Sequence, residues 1–246
     1  PLGLGSLGTF RKVIDAVKLA GVAVEEAAGV ETAALASSRE SAAEGTGAVD
    51  FLLGKEDRTW VGHHLFVRAA LTALEETLAR KGGAADKPLT GRVVLIIGAN
   101  ASARAVAFGV RKRGGMPILA ARDKELAQSL AGQFKCRFVP FEAIYSTTYD
   151  VLVVTSGESQ ANTGEAAGLH PGILRNGSVV LDVTHSPRLS PLASEARARG
   201  CLVLSPRQVL QAVAASAVQL LTGQPADQAA LAAALARACG AEEDQA

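Results

Sequence analysis

The chain has 246 residues, of which 48% are hydrophobic and 20% charged, a composition typical of a globular protein with a buried core. Its formal net charge of +1 gives no electrostatic reason to expect a nucleic-acid or membrane-surface partner, and no apolar run is long enough for a membrane-spanning helix. Cys136, Cys201 and Cys239 are an odd number of cysteines without the spacing of metal ligands. The sequence therefore favours neither a disulfide framework nor a zinc site, and a cytoplasmic location is the default expectation.

Residues 1–83 are predicted to form a small domain with both helices and strands. Apolar periodicity and turn residues predict helices over residues 10–20, 29–38 and 65–80, and short strands over residues 22–24, 48–53 and 59–61. The Gly-containing segment 81–87 is the best candidate for a linker. Since the chain begins with Pro1 rather than Met, we expect it to be part of a longer chain.

Over residues 84–238 the pattern changes to a regular alternation of strands and helices. The predicted strands are 92–98, 116–120, 137–139, 151–155, 179–183 and 202–204. The predicted helices are 101–113, 124–134, a short turn at 141–144, 191–199, 206–222 and 226–238. Short apolar runs separated by helix-length segments are typical of a parallel sheet with crossover helices. The fold class is therefore α/β, a Rossmann-type parallel-sheet domain preceded by a smaller, incomplete α/β domain, and residues 239–246 are expected to form a disordered tail.

The first strand–helix junction of the second domain predicts a nucleotide site. The strand runs into the small residues Gly98, Ala99, Asn100, Ala101 and Ser102, which open the helix. A helix N-terminus offers free N–H groups and the positive end of a dipole, and both suit a pyrophosphate. Asn100 stands where the usual fingerprint has its second glycine, and its side chain narrows the gap to the phosphate. Simple packing of a helix against a strand is the alternative interpretation of this turn.

The end of the second strand carries Arg122, where an NAD-specific site carries an acidic residue that binds the ribose 2′-hydroxyl. A guanidinium at this position suits the 2′-phosphate of NADP. A solvated arginine in a loop is the alternative, and the preceding turn favours the NADP interpretation.

Several segments, taken in order, resemble the shikimate dehydrogenase family. Residues 98–105 resemble its Gly-Ala-Gly-Gly-Ala-x-Arg-Ala turn, and residues 121–127 resemble its Asn-Arg-Thr segment. Residues 149–156 resemble the strand that enters its Asn-Ala-Thr loop, and residues 180–187 resemble its Asp-x-x-Tyr-x-Pro segment. The resemblance implies that the last helix returns towards the first domain. It also implies NADP as cofactor, bound by the turn at residues 98–102 together with Arg104, Arg122, Thr155 and Ser156.

In the first domain, the same resemblance places other residue types at the positions of the family's catalytic pair. Residues 47–52 resemble its Gly-Ala-Val-Asn-Thr-Ile strand, and counting from there puts Phe66 at the catalytic Asp and Gly29 at the catalytic Lys. Phenylalanine cannot accept a proton and glycine cannot stabilise an alkoxide, so the family's acid–base chemistry is predicted to be lost. His63 and His64 are candidate substitutes, because histidine is the usual proton-exchanging side chain near neutral pH, but two polar residues at a helix start are the simpler interpretation.

Two functions are compatible with these patterns. The first is the family reaction, the NADP-dependent interconversion of 3-dehydroshikimate and shikimate, in a weakened or altered form. The second is a pseudoenzyme, a non-catalytic module that binds a nucleotide or a partner in a regulatory or structural role, and the two altered positions favour it. The resemblance implies that the partner is a small-molecule substrate or a fused or associated shikimate-pathway domain. The oligomeric state is left open, a homo-oligomer included.

Overall fold

The computed structural model describes residues 7–82, 86–155, 169–184 and 188–239. Within these ranges the chain forms two separate sheets, one of four strands and one of six. Ser156 and the predicted tail from residue 240 onward lie outside the described residues.

The four-stranded sheet is built from the first part of the chain. Its strands are β1 (Gly21–Ala23), β2 (Ser38–Arg39), β3 (Phe51–Gly54) and β4 (Trp60–His63). They lie in the order β1-β3-β4-β2, and all pairs are antiparallel except the parallel pair of β4 and β2. The helices of this region are α1 (Leu7–Ala16), α2 (Gly29–Thr32), α3 (Ser41–Thr46) and α4 (Leu65–Arg80), with single 3-10 turns at Glu26–Ala28 and Ala33–Leu35.

Several predicted bounds in this region are wrong, and one helix was not predicted. The strands lie at Gly21–Ala23, Phe51–Gly54 and Trp60–His63 instead of residues 22–24, 48–53 and 59–61. Helix α1 ends at Ala16 instead of residue 20. Val17 and Leu19 beyond it are exposed, so a further helical turn would gain no stability from packing against the core. The predicted helix 29–38 ends at Leu35, because Ser38 pairs with Val61 as strand β2. Helix α3 escapes prediction because its six residues include no large apolar side chain that periodicity could reveal.

The six-stranded sheet confirms the Rossmann-type α/β class. Its strands are β5 (Val93–Ile97), β6 (Met116–Ala120), β7 (Arg137–Phe138), β8 (Val151–Thr155), β9 (Val179–Val183) and β10 (Leu202–Leu204). They are all parallel and lie in the order β10-β9-β8-β5-β6-β7. The direction of chain progression reverses between β5 and β8, the place where open α/β sheets form a crevice at their carboxyl edge.

The helices of this region are α5 (Ala101–Lys112), α6 (Lys124–Phe134), α7 (Pro191–Ala198), α8 (Pro206–Thr222) and α9 (Gln228–Cys239), with 3-10 segments at Phe141–Ser146 and Pro171–Ile173. Cys239 is the last residue of α9, so the predicted disordered tail begins one residue too early. No helix within the described ranges has both the length and the apolar character needed to cross a membrane.

Burial on both faces of the large sheet explains its continuous apolar strands. In β5, Val94 and Ile96 belong to the core cluster that includes residues of α4, α5 and α8, while Leu95 and Ile97 belong to the cluster on the other face. Helix α4 therefore packs against α5 and α8 of the later region. The boundary between residues 83 and 84 stays a prediction, although these contacts cross it.

Candidate functional site

A cavity of about 460 Å³ lies where helices α4, α5 and α8 begin. Both regions of the chain contribute to its wall, which includes Val49 after α3, Phe66 in α4, Ser102 in α5 and Val209 in α8. Cys239 also lines the cavity, which brings the end of α9 back to residues of the first region. A concave, mostly apolar site at a sheet crevice is the usual place for a small-molecule ligand.

Gly98 and Asn100 determine the backbone of the turn between β5 and α5. Gly98 has a φ of 124°, a conformation that favours glycine, and its N–H donates to the carbonyl of Ala120. Asn100 is the N-cap of α5, and its side-chain oxygen accepts from the N–H of Ala103 at 2.9 Å. One of the free donors of the helix start is therefore already satisfied by the chain itself.

A second donor of the same helix start is satisfied by Glu26. Its carboxylate accepts from the backbone N–H of Ser102 at 2.7 Å and from the Ser102 hydroxyl at 3.1 Å. A carboxylate at the positive end of a helix dipole is stabilising, just as a phosphate would be. For a pyrophosphate in this place, two of the N–H donors would be occupied and the Glu26 carboxylate would repel it. These residues therefore do not fit a dinucleotide while Glu26 is bound to Ser102.

The other predicted cofactor residues lie apart from this contact. Arg122 is exposed, with its guanidinium over the Phe141 ring at 5.1 Å from the ring centre. Thr155 is fully buried, and its hydroxyl donates to the Ile97 carbonyl at 2.9 Å. Ala101 lines the cavity together with Ser102, while Ala99 and Arg104 are half-buried beside the turn. Of the predicted cofactor residues that the structure describes, Ala101 and Ser102 reach the cavity.

The two residues predicted at the catalytic positions both line this cavity. Gly29 is buried, and a Cβ atom built on it would lie 2.7 Å from the Val49 carbonyl oxygen, closer than real Cβ atoms come. A lysine at position 29 would therefore require the backbone to shift. Phe66 is half-buried and presents no group that exchanges a proton.

Asp50 and His64 form the most polar part of the wall. The Asp50 carboxylate accepts from the N–H groups of Leu65 and Phe66 at 2.6 Å and 2.7 Å. Asp50, which directly precedes β3, therefore caps the N-terminus of helix α4. The His64 Nδ1 atom is buried and lies 3.1 Å from the Asp50 carboxylate, within the distance of an ion pair, although the two atoms are not aligned for a hydrogen bond. The simpler interpretation of His64 as a helix-start residue gives its position correctly but misses its place in the cavity wall.

Thr184, just after β9, is a further polar residue of the wall. It is 5% exposed, and its hydroxyl has no hydrogen-bond partner among the described residues. Sequence reasoning singled out neither Thr184 nor the two carboxylates Glu26 and Asp50. An acidic residue within an otherwise apolar segment, as at Glu26 and Asp50, is the signal that could have indicated them.

No protein-family model matches the chain. It is 28% identical over 174 residues to the shikimate dehydrogenase (NADP(+)) of Syntrophobacter fumaroxidans, covering 69% of this chain and 57% of that protein. It is 31% identical over 206 residues to the shikimate dehydrogenase (NADP(+)) of Moorella thermoacetica, covering 79% and 67%. It is 26% identical over 199 residues to the chloroplastic bifunctional 3-dehydroquinate dehydratase/shikimate dehydrogenase of Arabidopsis thaliana, covering 75% and 32%. The chain thus spans little more than half of the first relative and a third of the plant protein.

Among solved structures, the fold is similar to the shikimate 5-dehydrogenase of Thermus thermophilus in complex with NADP(H) and shikimate. The TM-score is 0.78 at 26% identity, and the match covers 96% of this chain and 85% of that one. The likeness extends over both sheets described above, since nearly the whole chain is included.

Proposed function

The chain belongs to the shikimate dehydrogenase family, and from this premise we propose that its cavity binds a small molecule without carrying out the family's NADP-dependent reaction. The observation that carries the proposal is the contact of Glu26 with Ser102 at the start of α5. This contact puts a fixed negative charge where a dinucleotide would need to place its pyrophosphate. A cleft that has lost its hydride carrier cannot oxidise or reduce a substrate by the family route.

The two altered positions support the same proposal. A dehydrogenase that moves hydride from an alcohol needs a group that takes the hydroxyl proton. Phe66 cannot do this, and Gly29 is packed too closely against the Val49 carbonyl to be replaced by a longer residue. Of the other polar side chains in the wall, Asp50 caps the start of α4 and His64 lies beside Asp50.

A second candidate is an NADP-dependent oxidoreductase with an altered substrate. The positive φ of Gly98 and the guanidinium of Arg122 at the predicted ribose position favour it. The similarity to the NADP(+)-dependent shikimate dehydrogenases of Syntrophobacter fumaroxidans and Moorella thermoacetica also favours it. Under this candidate Glu26 would have to leave Ser102 when the cofactor binds, so NADP affinity would rise when Glu26 is replaced.

We further propose that a module of this kind works beside other shikimate-pathway enzymes in a reducing compartment such as the cytoplasm. The Arabidopsis thaliana relative, which carries 3-dehydroquinate dehydratase in the same protein, supports such an arrangement. The three cysteines are free, which is compatible with a reducing environment.

The test is the reduction of 3-dehydroshikimate by NADPH, followed as loss of absorbance at the nicotinamide band. The Moorella thermoacetica relative serves as the positive control. We expect the chain to give no rate above the reaction without protein, even at micromolar protein concentration. A rate that rises in proportion to the concentration of this protein would overturn the proposal and support the second candidate.

A further inference from the structure

We infer that the cavity takes an uncharged, mostly apolar small molecule with one hydrogen-bonding group, not a polyhydroxylated carboxylate. The inference names the ligand class of the proposed binding function and rests on that function. Its basis is the composition and charge of the wall and the unpaired Thr184 hydroxyl, which differ from what a sugar-like acid requires.

The wall is apolar on several sides. Side chains from both regions contribute to it, namely Val24, Val49, Phe66, Val209, Leu210 and Val213. Its volume of about 460 Å³ lies within the range of roughly 300–1,000 Å³ that small-molecule sites span. A ligand of many hydroxyl groups would lose its hydration here without gaining equivalent partners.

The charge of the described part of the wall disfavours an anionic ligand. Of the described residues that line the cavity, none is lysine or arginine, while two are the acidic residues Glu26 and Asp50. A bound carboxylate would thus lack a cationic partner and face two like charges. Both carboxylates already accept hydrogen bonds from backbone N–H groups. Protonating either one to relieve its repulsion with an anionic ligand would weaken those bonds.

One polar atom of the wall remains to be satisfied. The Thr184 hydroxyl is buried, at 5% residue exposure, without a hydrogen-bond partner among the described residues. Buried polar atoms are nearly always paired in native proteins, and an unpaired one is costly. A single donor or acceptor on an otherwise apolar ligand would supply the missing bond.

The probe for this site is N-phenyl-1-naphthylamine, an uncharged aromatic amine that fluoresces in apolar surroundings and carries one N–H group. We expect saturable binding to one site per chain. Val213→Phe places an aromatic ring in the cavity and should weaken binding at least about tenfold, because the remaining space no longer fits the probe without overpacking. Thr184→Val keeps the side-chain shape, removes the hydroxyl, and should weaken binding about three- to tenfold. Val30→Phe, an exposed position outside the cavity wall, is the matched control and should leave binding unchanged.

Circular dichroism melts verify that each variant is folded, and Thr184→Val keeps the test informative if Val213→Phe is not. The inference is overturned if the probe does not bind saturably or if a folded Val213→Phe binds it as the Val30→Phe control does. It is also overturned if millimolar shikimate displaces the probe, because the cavity would then accept the carboxylate class. None of these outcomes depends on the NADPH assay, so loss of the ligand class and loss of the proposed function are distinguishable.

Discussion

The carboxylate of Glu26 lies 2.7 Å from the backbone nitrogen of Ser102, a residue 76 positions later in the chain. The contact joins the 3-10 turn after β1 to the first turn of α5, and so links the two regions across the cavity. Here the protein itself supplies the anion that a dinucleotide brings to this helix in other Rossmann-type folds. Its consequences for stability and for ligand binding can be measured separately.

Replacing Glu26 by alanine should lower the free energy of unfolding by about 1–2 kcal/mol, because a charged acceptor at a helix N-terminus is lost. Urea denaturation followed by circular dichroism measures the change. Glu25→Ala is the matched control, since Glu25 is the exposed neighbour in the sequence. Equal stability of the two variants would show that the Glu26 contact contributes nothing.

Replacing Asp50 by alanine should destabilise the protein by about 1–3 kcal/mol. The carboxylate accepts the Leu65 and Phe66 N–H groups, and its removal leaves two donors of α4 unsatisfied in a partly buried place. Asp50→Asn keeps one acceptor and should lose less. The exposed Glu56→Ala variant is the control for charge alone, and a loss as large in it would argue against the capping role.

Two glycine-to-alanine variants should change stability in opposite directions. A Cβ on Gly109 in α5 would lie 2.2 Å from a Leu71 methyl carbon and 2.7 Å from a Val67 methyl carbon, so Gly109→Ala should cost about 1–3 kcal/mol through overpacking of α4 against α5. Gly132 in α6 has no atom within 4 Å of such a Cβ. Gly132→Ala should therefore stabilise by about 0.5–1 kcal/mol from helix propensity. Thermal melts of both variants measure these changes, and stabilisation by Gly109→Ala would refute the close packing.

Stability should fall in mildly acidic solution because of His63. Burial lowers the pKa of His63 below its ordinary value of 6.5, an effect that the nearby Glu40 carboxylate partly opposes. Below pH 6.5 the unfolded chain binds a proton that the folded chain resists, so this contribution is zero above pH 6.5 and destabilising as the pH falls further. Plotted against pH, the unfolding free energies of the wild type and His63→Gln should run parallel above pH 6.5. Below pH 6.5 the free energy of the wild type should fall more steeply.

A wild-type profile parallel to that of His63→Gln below pH 6.5 would contradict the assignment.

The elements that sequence patterns predicted best are those with a one-sided or continuous apolar signal. Helices α4, α6 and α8 have the predicted bounds, as do strands β6, β8, β9 and β10. Each presents an apolar face or run of its own, which periodicity can detect. Strand β2, with only Ser38 and Arg39, has no such signal, because it exists only through pairing with β4.

Some of the cavity residues could be predicted from local sequence and others could not. The small-residue turn at Gly98 and the altered positions Gly29 and Phe66 follow from local motifs and from family resemblance. The contact between Glu26 and Ser102 depends on the folded arrangement of two distant segments, and no local pattern encodes it. Thr184 is noticeable only once its hydroxyl is seen to be buried without a partner among the described residues.

The most direct test of a cleft closed to dinucleotide is calorimetric titration of NADP+ into the wild type, Glu26→Ala and the Glu25→Ala control. We expect no saturable binding by the wild type or Glu25→Ala at millimolar NADP+, and binding at least about tenfold tighter by Glu26→Ala if the vacated N–H groups accept the pyrophosphate. Micromolar binding by the wild type, unchanged in Glu26→Ala, would contradict the claim that Glu26 blocks the site.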